Sequence, residues 1–420
     1  MGSLADCTRV LGLVGFRVSR VELDGDDPEV ALRVEVERRG VRRYPCSGCG
    51  RRTGRVRDAT HRTWRDVPWA LHPVTIVYTQ RRVICRQCGI RCERVEFADP
   101  KARLTRRPQQ RIGLDCPSRP TSHAAVRHAV SWGAARRAER RFLERWDAGR
   151  PRRRPRHLGA DEIQRGKGQH CWTGLSDVVH GEVIGLAKDR TEEALTTRLT
   201  TELEARQRTA VEAVCLDMHR PYLNAVTTVL PKAEVVFDKF HVLQHAATAL
   251  DEVRRHECFR AGPVMREFGR GKRWLLLRRW RDVRGKKRQA LQDLFAANRR
   301  LFKAYILREP LDRLWTYTTR PGVLRFVLGW IRALRWQRLP EMEQLGDFLF
   351  RHLEGIAAYC DHPVRFGVVE SVNTTIKAVI RRARGMKDEW MLVLKLKWAT
   401  ARPIRTARDL SRFLHPESVH

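Results

Sequence analysis

Three aspartates of this 420-residue chain each stand at or near the end of an apolar run. Asp161 lies in Leu-Gly-Ala-Asp-Glu-Ile, Asp217 follows Val-Glu-Ala-Val-Cys-Leu, and Asp238 follows Ala-Glu-Val-Val-Phe. A solvated helix face accounts for the four glutamates between residues 192 and 204, but it accounts poorly for these three positions. Carboxylates that converge from neighbouring strands can hold divalent cations through oxygen ligands. Two such ions can activate an attacking oxygen and stabilise a leaving oxygen.

Two Cys-x-x-Cys-Gly sequences near the N-terminus have the spacing of metal ligands. Cys46 and Cys49 form the first pair, and Cys85 and Cys88 form the second. Four thiolates at the ends of a short β-rich segment can bind one Zn²⁺ tetrahedrally, and a closed shell of four ligands indicates a structural ion. Cys92 is a further cysteine that could replace Cys88. The alternative, two buried thiol pairs, fits poorly with so polar and arginine-rich a segment.

A later helix is predicted to present one polar face. Glu370, Asn373, Lys377 and Arg381 follow one another at spacings of three and four, so they share a helical face. The other face is apolar and consists of Val369, Val372, Ile376 and either Val379 or Ile380. A carboxylate followed by an amide and two cations suits a metal ligand beside phosphates. The alternative is an ordinary amphipathic surface helix.

The elements around the aspartates predict how these side chains meet. We expect a strand over 158–163, a hairpin of strands 171–179 and 182–187, a helix over 191–207, a strand over 211–216, a helix over 221–230 and a strand over 233–237. An antiparallel meander followed by parallel crossovers is the order of the ribonuclease H-like fold. In that topology Asp161 lies on the central strand and Asp217 ends its neighbour. A third carboxylate is expected on a later helix, after a basic helical insertion over residues 243–365.

Two helices are predicted between the cysteine-rich segment and these strands. The first spans residues 118–129 and the second runs from Trp132 to Trp146, with Ser131 as its N-cap. The arginines of the second helix are Arg136, Arg137, Arg140, Arg141 and Arg145. Such a helix-turn-helix can place its second helix in the major groove while arginines bind phosphates. A solvated amphipathic helix is the alternative, and the basic, proline-containing residues 151–157 form a linker.

Net charge identifies the class of partner. The chain has 83 Lys and Arg against 48 Asp and Glu, a net charge of +35, and its 42% hydrophobic content excludes a wholly disordered basic tail. Nucleic acid is the first polyanion expected, and an anionic membrane is the second. Residues 101–157 hold 17 basic and 4 acidic residues, whereas residues 158–242 hold 10 and 13. The basic segments are therefore expected to bind DNA around an acidic site, and no amphipathic anchor supports the membrane alternative.

The remaining composition narrows the cellular compartment. Five of the 11 cysteines lie between Cys46 and Cys92, which argues against a disulfide framework and favours a metal site in a reducing cytoplasm. The first fifteen residues lack the basic segment of a signal peptide, and no run of about 18 apolar residues predicts a membrane helix.

Four motifs together resemble the insertion-sequence transposases of the ISL-three family. They are Gly159-Ala-Asp-Glu, Leu216-Asp-Met-His-Arg-Pro-Tyr, Asp238-Lys-Phe-His and Glu370-Ser-Val-Asn-Thr-Thr-Ile-Lys with Arg381 to Gly385. The cysteine pairs and the helix that begins at Trp132 resemble the N-terminal modules of that family. The resemblance covers residues 40–405 in the same order.

The resemblance implies a DDE transposase, in which Asp161, Asp217 and Glu370 bind two Mg²⁺ or Mn²⁺ ions. Water would free a 3′-hydroxyl at each transposon end, and that hydroxyl would attack a target phosphodiester. The supporting positions are Asp238, as a structural or outer-shell residue, and His241, as a phosphate contact. The expected DNA-binding residues are Trp132, Arg136, Arg137, Arg140, Asn373, Lys377 and Arg381.

The implied organisation is α/β and multidomain. It comprises an N-terminal segment (1–40), a β-rich zinc module (41–100), a helix-turn-helix domain (101–150), a linker (151–157), a ribonuclease H-like core (158–242 and 366–405), a helical insertion (243–365) and a tail (406–420). The expected partners are double-stranded terminal repeats and target DNA, bound by a homo-oligomer in the bacterial cytoplasm at the nucleoid. A zinc-containing DNA-binding regulator without catalysis and a structure-specific nuclease remain as alternatives.

Overall fold

The computed structural model describes residues 3–23, 31–40, 43–70, 72–150, 152–164, 171–383 and 386–401. Two compact units divide the chain near residue 150. The predicted tail over 406–420 and the Arg384-Gly385 end of the last motif lie outside the described residues. None of the helices described here is long and apolar enough to cross a membrane.

The N-terminal unit combines a mixed sheet with helices. Its elements are α1 (Leu4–Leu11), β1 (Phe16–Leu23), β2 (Leu32–Arg38), β3 (Tyr44–Pro45), β4 (Arg52–Thr53), β5 (Val56–Arg65), β6 (Val74–Cys85), β7 (Gly89–Cys92), α2 (Arg106–Asp115), α3 (Thr121–Arg127) and α4 (Trp132–Gly149). The sheet has the order β1-β2-β6-β5, with β7 paired to β6. Since β2 pairs in parallel with β6, the predicted boundary between residues 40 and 41 falls between strands of one sheet.

Aromatic side chains form the core of this sheet. Phe16 and Trp64 both pack edge-to-face on Phe97, with ring centroids 4.9 and 5.2 Å away. The buried Asp66 carboxylate accepts a hydrogen bond from Thr105 Oγ1 at 2.6 Å, and it also pairs with Arg107 at the start of α2. These contacts join the sheet to the helices that follow it, within the same unit.

The helix pair of this unit differs from the predicted one at its first helix. The predicted helix over 118–129 is shorter, because α3 begins only at Thr121. Arg119 precedes Pro120 and takes an extended conformation, as steric clash with a following proline ring favours. The start of α4 at Trp132 is as predicted, and Ser131 Oγ accepts a hydrogen bond from the Ala134 N–H at 3.2 Å.

The C-terminal unit contains a second five-stranded sheet. Its first elements are β8 (His157–Gln164), β9 (Cys171–Asp177), β10 (Glu182–Lys188), α5 (Glu192–Glu202), α6 (Ala205–Arg208), β11 (Ala213–Leu216), α7 (Arg220–Val229) and β12 (Glu234–Phe237). The strand order is β10-β9-β8-β11-β12. Strands β8, β9 and β10 are antiparallel, whereas β11 is parallel to both β8 and β12. The predicted succession of strands is therefore observed.

One predicted helix of this unit is divided. The helix predicted over 191–207 ends at Glu202, and α6 starts after Glu204. Leu203 leaves the helical conformation and is only 2% exposed, so its side chain packs into the core. Glu204 and Gln207 then form a reciprocal capping box, which stabilises a new helix start.

The helices after β12 fall into two groups. The first is α8 (Lys239–Arg260), α9 (Pro263–Gly269), α10 (Arg273–Leu276), α11 (Lys286–Ala297), α12 (Arg299–Arg308), α13 (Arg320–Leu334), α14 (Pro340–Arg351) and α15 (Leu353–Ala357). The second is α16 (Phe366–Arg382) and α17 (Glu389–Thr400). Since α8 begins at Lys239, the predicted insertion boundary at 243 falls inside a helix.

The two helix groups cover opposite faces of the sheet. Leu158 and Leu216 belong to a core that continues without interruption through the insertion to Ala357. On the other face, Val369 of α16 packs with Cys215 of β11. The predicted apolar face of α16 is confirmed, since its buried residues are Val369, Val372, Ile376 and Val379.

Candidate active site and metal centre

Strand register brings two of the predicted carboxylates to the same edge of the sheet. In the parallel pairing of β8 with β11, Ala160 lies opposite Leu216. Asp161 and Asp217 are the next residues on these two neighbouring strands. Asp217 is 8% exposed, and its Oδ1 accepts a hydrogen bond from the His219 N–H at 3.2 Å. The two aspartates therefore lie side by side where β11 ends.

An open cleft of about 1080 Å³ lies at this edge. The predicted residues among its walls are Asp161, Asp217, Asp238, His241, Glu370, Asn373 and Lys377. Arg381 lies one turn beyond Lys377 on α16, is exposed, and is not part of the cleft wall. The carboxylates of Asp161, Asp217 and Glu370 line one cleft, and their oxygens do not all lie within 4.8 Å of one another.

Asp161 is held by contacts from three directions. Its Oδ2 accepts a hydrogen bond from Asn373 Nδ2 on α16, and its Oδ1 accepts one from the Glu162 N–H at 2.7 Å. His241 Nε2 on α8 lies 3.6 Å from Asp161 Oδ1. This carboxylate raises the pKa of His241, through hydrogen bonding and charge, so the imidazole is more cationic than an ordinary histidine.

Asp238 has a structural contact of its own. It is the N-cap of α8, and its Oδ1 accepts a hydrogen bond from the Phe240 N–H at 2.8 Å. Burial raises the pKa of Asp238, and the charges of Asp161 and Glu370 add to this effect. Asp238 therefore caps the helix that carries His241, and its predicted structural or outer-shell role in the site stays a prediction.

Arg190 and Glu162 are charged residues of the cleft wall that were not predicted from the sequence as site residues. Arg190, in the loop between β10 and α5, places Nη2 2.6 Å from Asp217 Oδ2 and Nη1 2.9 Å from Glu162 Oε2. The position of Glu162 directly after Asp161 is the one local feature that could have indicated it as a cleft residue. The sequence around Arg190 carries no feature that indicates its partners. The Arg190 guanidinium thus lies between the carboxylates of Asp217 and Glu162 in the wall of the cleft.

Four cysteines of the N-terminal unit form the second candidate site. One sulfur from each of Cys46, Cys49, Cys85 and Cys88 lies within 4.8 Å of the others. Cys92 is exposed and lies in β7 opposite Arg82, so it does not join this cluster. Four thiol ligands with this closeness fit one tetrahedral Zn²⁺ and leave no open position.

The pKa values of two of these thiols shift in opposite directions. Hydrogen bonds from the backbone of Cys88 and Gln87 lower the pKa of Cys85 to about 7, which favours its thiolate. In contrast, a hydrogen bond with Cys49, desolvation and a hydrogen bond with Cys46 raise the pKa of Cys88 to about 12. Thiols that coordinate a metal are deprotonated, and a bound dication offsets the repulsion among the resulting thiolates.

The predicted DNA-binding residues of α4 differ in accessibility. Trp132 is 59% exposed at the start of the helix, and Arg137 is also exposed. Arg140 Nε donates to Glu144 Oε1 at 2.8 Å on the helix surface. Arg136 is mostly enclosed and lies 3.6 Å from the fully buried Glu139, so its charge is used inside the unit.

Comparison with known proteins gives one family match in each of the two units. A family described as a transposase, of the ISL3 (ISL-three) type, matches residues 158–396. A second family, described as the zinc finger of the transposases of IS204, IS1001, IS1096 and IS1165, matches residues 42–88.

Curated relatives extend the match to almost the whole chain. The transposase for insertion sequence element IS1001 of Bordetella parapertussis is 29% identical over 394 residues, which is 92% of this chain and 96% of the relative. The transposase for IS1557 of Mycobacterium tuberculosis is 24% identical over 398 residues, 88% of each chain. The two family matches and this full-length similarity establish that the chain belongs to the ISL3 family of transposases.

Proposed function

We propose that this chain binds the ends of an insertion sequence and catalyses DNA strand cleavage and strand transfer at the cleft of its C-terminal unit. The observation that carries the proposal is the meeting of Asp161, Asp217 and Glu370, from β8, the end of β11 and α16, in one cleft. The sheet order β10-β9-β8-β11-β12, with two antiparallel pairings followed by two parallel pairings, supports a ribonuclease H-like fold.

The donor set of the cleft fits hard divalent cations. The three carboxylates offer only oxygen ligands, which Mg²⁺ and Mn²⁺ prefer. When bound, two such ions supply activation of the attacking oxygen and charge stabilisation of the leaving oxygen. Each of two ions would need only some of the three carboxylates, so the trio need not converge on a single point.

The chain's own residues orient the reacting groups. Asn373 donates to one oxygen of Asp161 and the Glu162 N–H donates to the other, so the two contacts together fix the orientation of this carboxylate. Lys377 and His241, whose pKa is raised by Asp161, lie on the cleft wall and can bind DNA phosphates, and Arg381 extends the basic surface of α16. Arg190 is placed to bind a phosphate once it leaves Asp217.

The N-terminal unit supplies the second part of the proposal. The four-cysteine cluster holds a structural Zn²⁺, and α3 with α4 acts as a helix-turn-helix that reads DNA through Trp132, Arg137 and Arg140. The enclosed Arg136 supports α4 and does not reach DNA. We further propose that several copies assemble on the terminal inverted repeats, because two transposon ends must be joined, and that this takes place at the bacterial nucleoid.

The decisive experiment compares Asp217→Asn with Asp347→Asn, an exposed carboxylate on α14 that lies outside the cleft. Labelled DNA carrying the inverted repeats beside the gene is incubated with each full-length protein and Mg²⁺. We expect D217N to lose at least about a thousandfold in cleavage rate while it still binds DNA, because the metal ions contribute several kcal/mol and each 1.36 kcal/mol is tenfold in rate. D347N should behave as the wild type.

The outcomes separate the alternatives. Cleavage retained by D217N contradicts the acidic site. Cleavage by the wild type without joined products indicates a structure-specific nuclease. DNA binding by the wild type without cleavage or joining indicates a regulator.

A further inference from the structure

A second group of metal-ligating residues lies at the opposite end of the catalytic sheet. His157 begins β8, Glu212 directly precedes β11, and His362 lies between α15 and α16. One ligand atom from each residue lies within 4.8 Å of the other two. None of the three lines the acidic cleft. Asp161 lies four residues along β8 from His157, about 13 Å at the usual rise of a strand.

Strand register explains why these residues meet. Ala213 of β11 pairs with both His157 of β8 and Glu234 of β12, so three adjacent strands start at the same level. His157 Nε2 lies 3.9 Å from Glu212 Oε2. The rings of His157 and His362 pack edge-to-face with centroids 5.8 Å apart. His362 Nε2 also lies 3.5 Å from Glu234 Oε2, so a second carboxylate is within reach.

Two arginines share these carboxylates. Arg156 donates to both oxygens of Glu212 at 2.7 Å, but its side chain is 70% exposed. Arg320 contacts Glu234 at 2.5 Å and also pairs with Asp361. Both ion pairs are open to solvent, which weakens them, so they can rearrange for a ligand. Three carboxylates against two guanidinium groups leave the cluster with a net negative charge.

We propose that His157, Glu212 and His362 bind one transition-metal dication of the Zn²⁺ class. Two imidazoles with one carboxylate favour Zn²⁺, Co²⁺ or Ni²⁺ over Mg²⁺, and three protein ligands leave room for water or for Glu234. The ion would join the segment that leads into α16 to the starts of β8 and β11. It would therefore act as a cross-link that ties the segment before α16, the helix that carries Glu370, to the sheet. The site is separate from the cysteine cluster and does not depend on the proposed reaction.

The test is a Co²⁺ titration of the untagged full-length protein, with Zn²⁺ already bound at the cysteines and millimolar Mg²⁺ present to occupy the acidic cleft. We expect one additional Co²⁺ per chain, with weak visible absorption and no thiolate charge-transfer band. His157→Ala and His362→Ala should each lose this binding. His256→Ala is the matched control. His256 also pairs with a carboxylate, that of Glu341 on α14 at 2.6 Å, but it is not part of the proposed site.

A second variant guards against misfolding of the histidine mutants. Glu212→Gln removes the charge of one partly exposed ligand without loss of side-chain volume. We expect at least tenfold weaker Co²⁺ binding and an unchanged melting temperature in the absence of metal. Added Co²⁺ should raise the melting temperature of the wild type and H256A, but not of H362A. The proposal is overturned if the wild type binds no additional Co²⁺, or if H157A, H362A and E212Q bind it as tightly as H256A does.

Discussion

Arg190 offers the sharpest test of the acidic cleft, because its charge competes directly with a metal ion for Asp217. Its guanidinium nitrogens lie 2.6 Å from Asp217 and 2.9 Å from Glu162. Two unit charges about 4 Å apart interact by about 1 kcal/mol in water and about 4 kcal/mol at a protein surface of lower dielectric. Since the Arg190 side chain is 37% exposed, we take the lower end, about 1 kcal/mol.

The substitution Arg190→Gln removes this charge while it keeps a polar side chain. We expect the DNA-free protein to bind Mn²⁺ about fivefold more tightly, because 1.4 kcal/mol corresponds to a factor of ten. The dissociation constant is measured from the electron paramagnetic resonance signal of free Mn²⁺, so no catalytic step enters the measurement. In strand cleavage the same variant should require more DNA for half-maximal rate, since it loses a phosphate contact.

Arg198→Gln is the matched control for this experiment. Arg198 lies on α5, is 34% exposed and pairs with Glu202 at 3.3 Å, outside the cleft. R198Q should leave Mn²⁺ binding unchanged. If R190Q binds Mn²⁺ no more tightly than the wild type and R198Q, then Arg190 does not oppose cation binding at Asp217 and the electrostatic reasoning is refuted.

Three further predictions concern other parts of the two units. Because its carboxylate partner raises the pKa of His241, the stabilisation by this histidine is complete below about pH 6.5 and is lost as pH rises through the raised pKa. H241Q should therefore cost more unfolding free energy at pH 5.5 than at pH 9 in urea titrations, and a pH-independent cost would contradict this. Gly159→Ala would place a Cβ 2.7 Å from a valine methyl and should lower the free energy of unfolding by about 1–3 kcal/mol. Gly329→Ala has open space around the new Cβ on α13 and should raise the free energy of unfolding by about 0.5–1 kcal/mol. In binding to terminal-repeat DNA, Arg137→Ala should reduce the slope of log binding constant against log salt concentration by about 0.9. Arg136→Ala should chiefly lower the melting temperature of the protein. Equal slopes for the wild type and R137A would argue against the proposed α4 interface.

Local patterns were sufficient to place the three predicted carboxylates on their secondary-structure elements. Asp161 and Asp217 could be predicted to converge because the ends of apolar strands are visible in the sequence and neighbouring strands share an edge. Glu370 could be placed on a helix face from spacing alone. The choice of Cys88 over Cys92 required the structure, because it depends on the turn between β6 and β7 and on the exposure of β7.

Features that depend on distant residues could not be predicted in this way. The pairing of β2 with β6 joins residues 32–35 to residues 74–77, and no local motif marks it. The contacts of Arg190 arise from a loop whose own sequence carries no periodic signal. The division of the predicted helix at Leu203 follows from tertiary burial of that side chain, which overrides good helix propensity on either side.

The order of the elements along the chain has a consequence for biosynthesis. Asp161 and Glu370 are separated by 209 positions, and the intervening insertion shares one continuous core with the first face of the sheet. At about 5–20 residues per second, a ribosome needs about 10–40 s to pass from one carboxylate to the other. During this interval the zinc-binding and helical N-terminal unit is already synthesised, while the second face of the sheet still lacks α16 and α17. The proposed DNA-cutting site is therefore completed last, so a nascent or prematurely terminated chain could occupy DNA before it could break it.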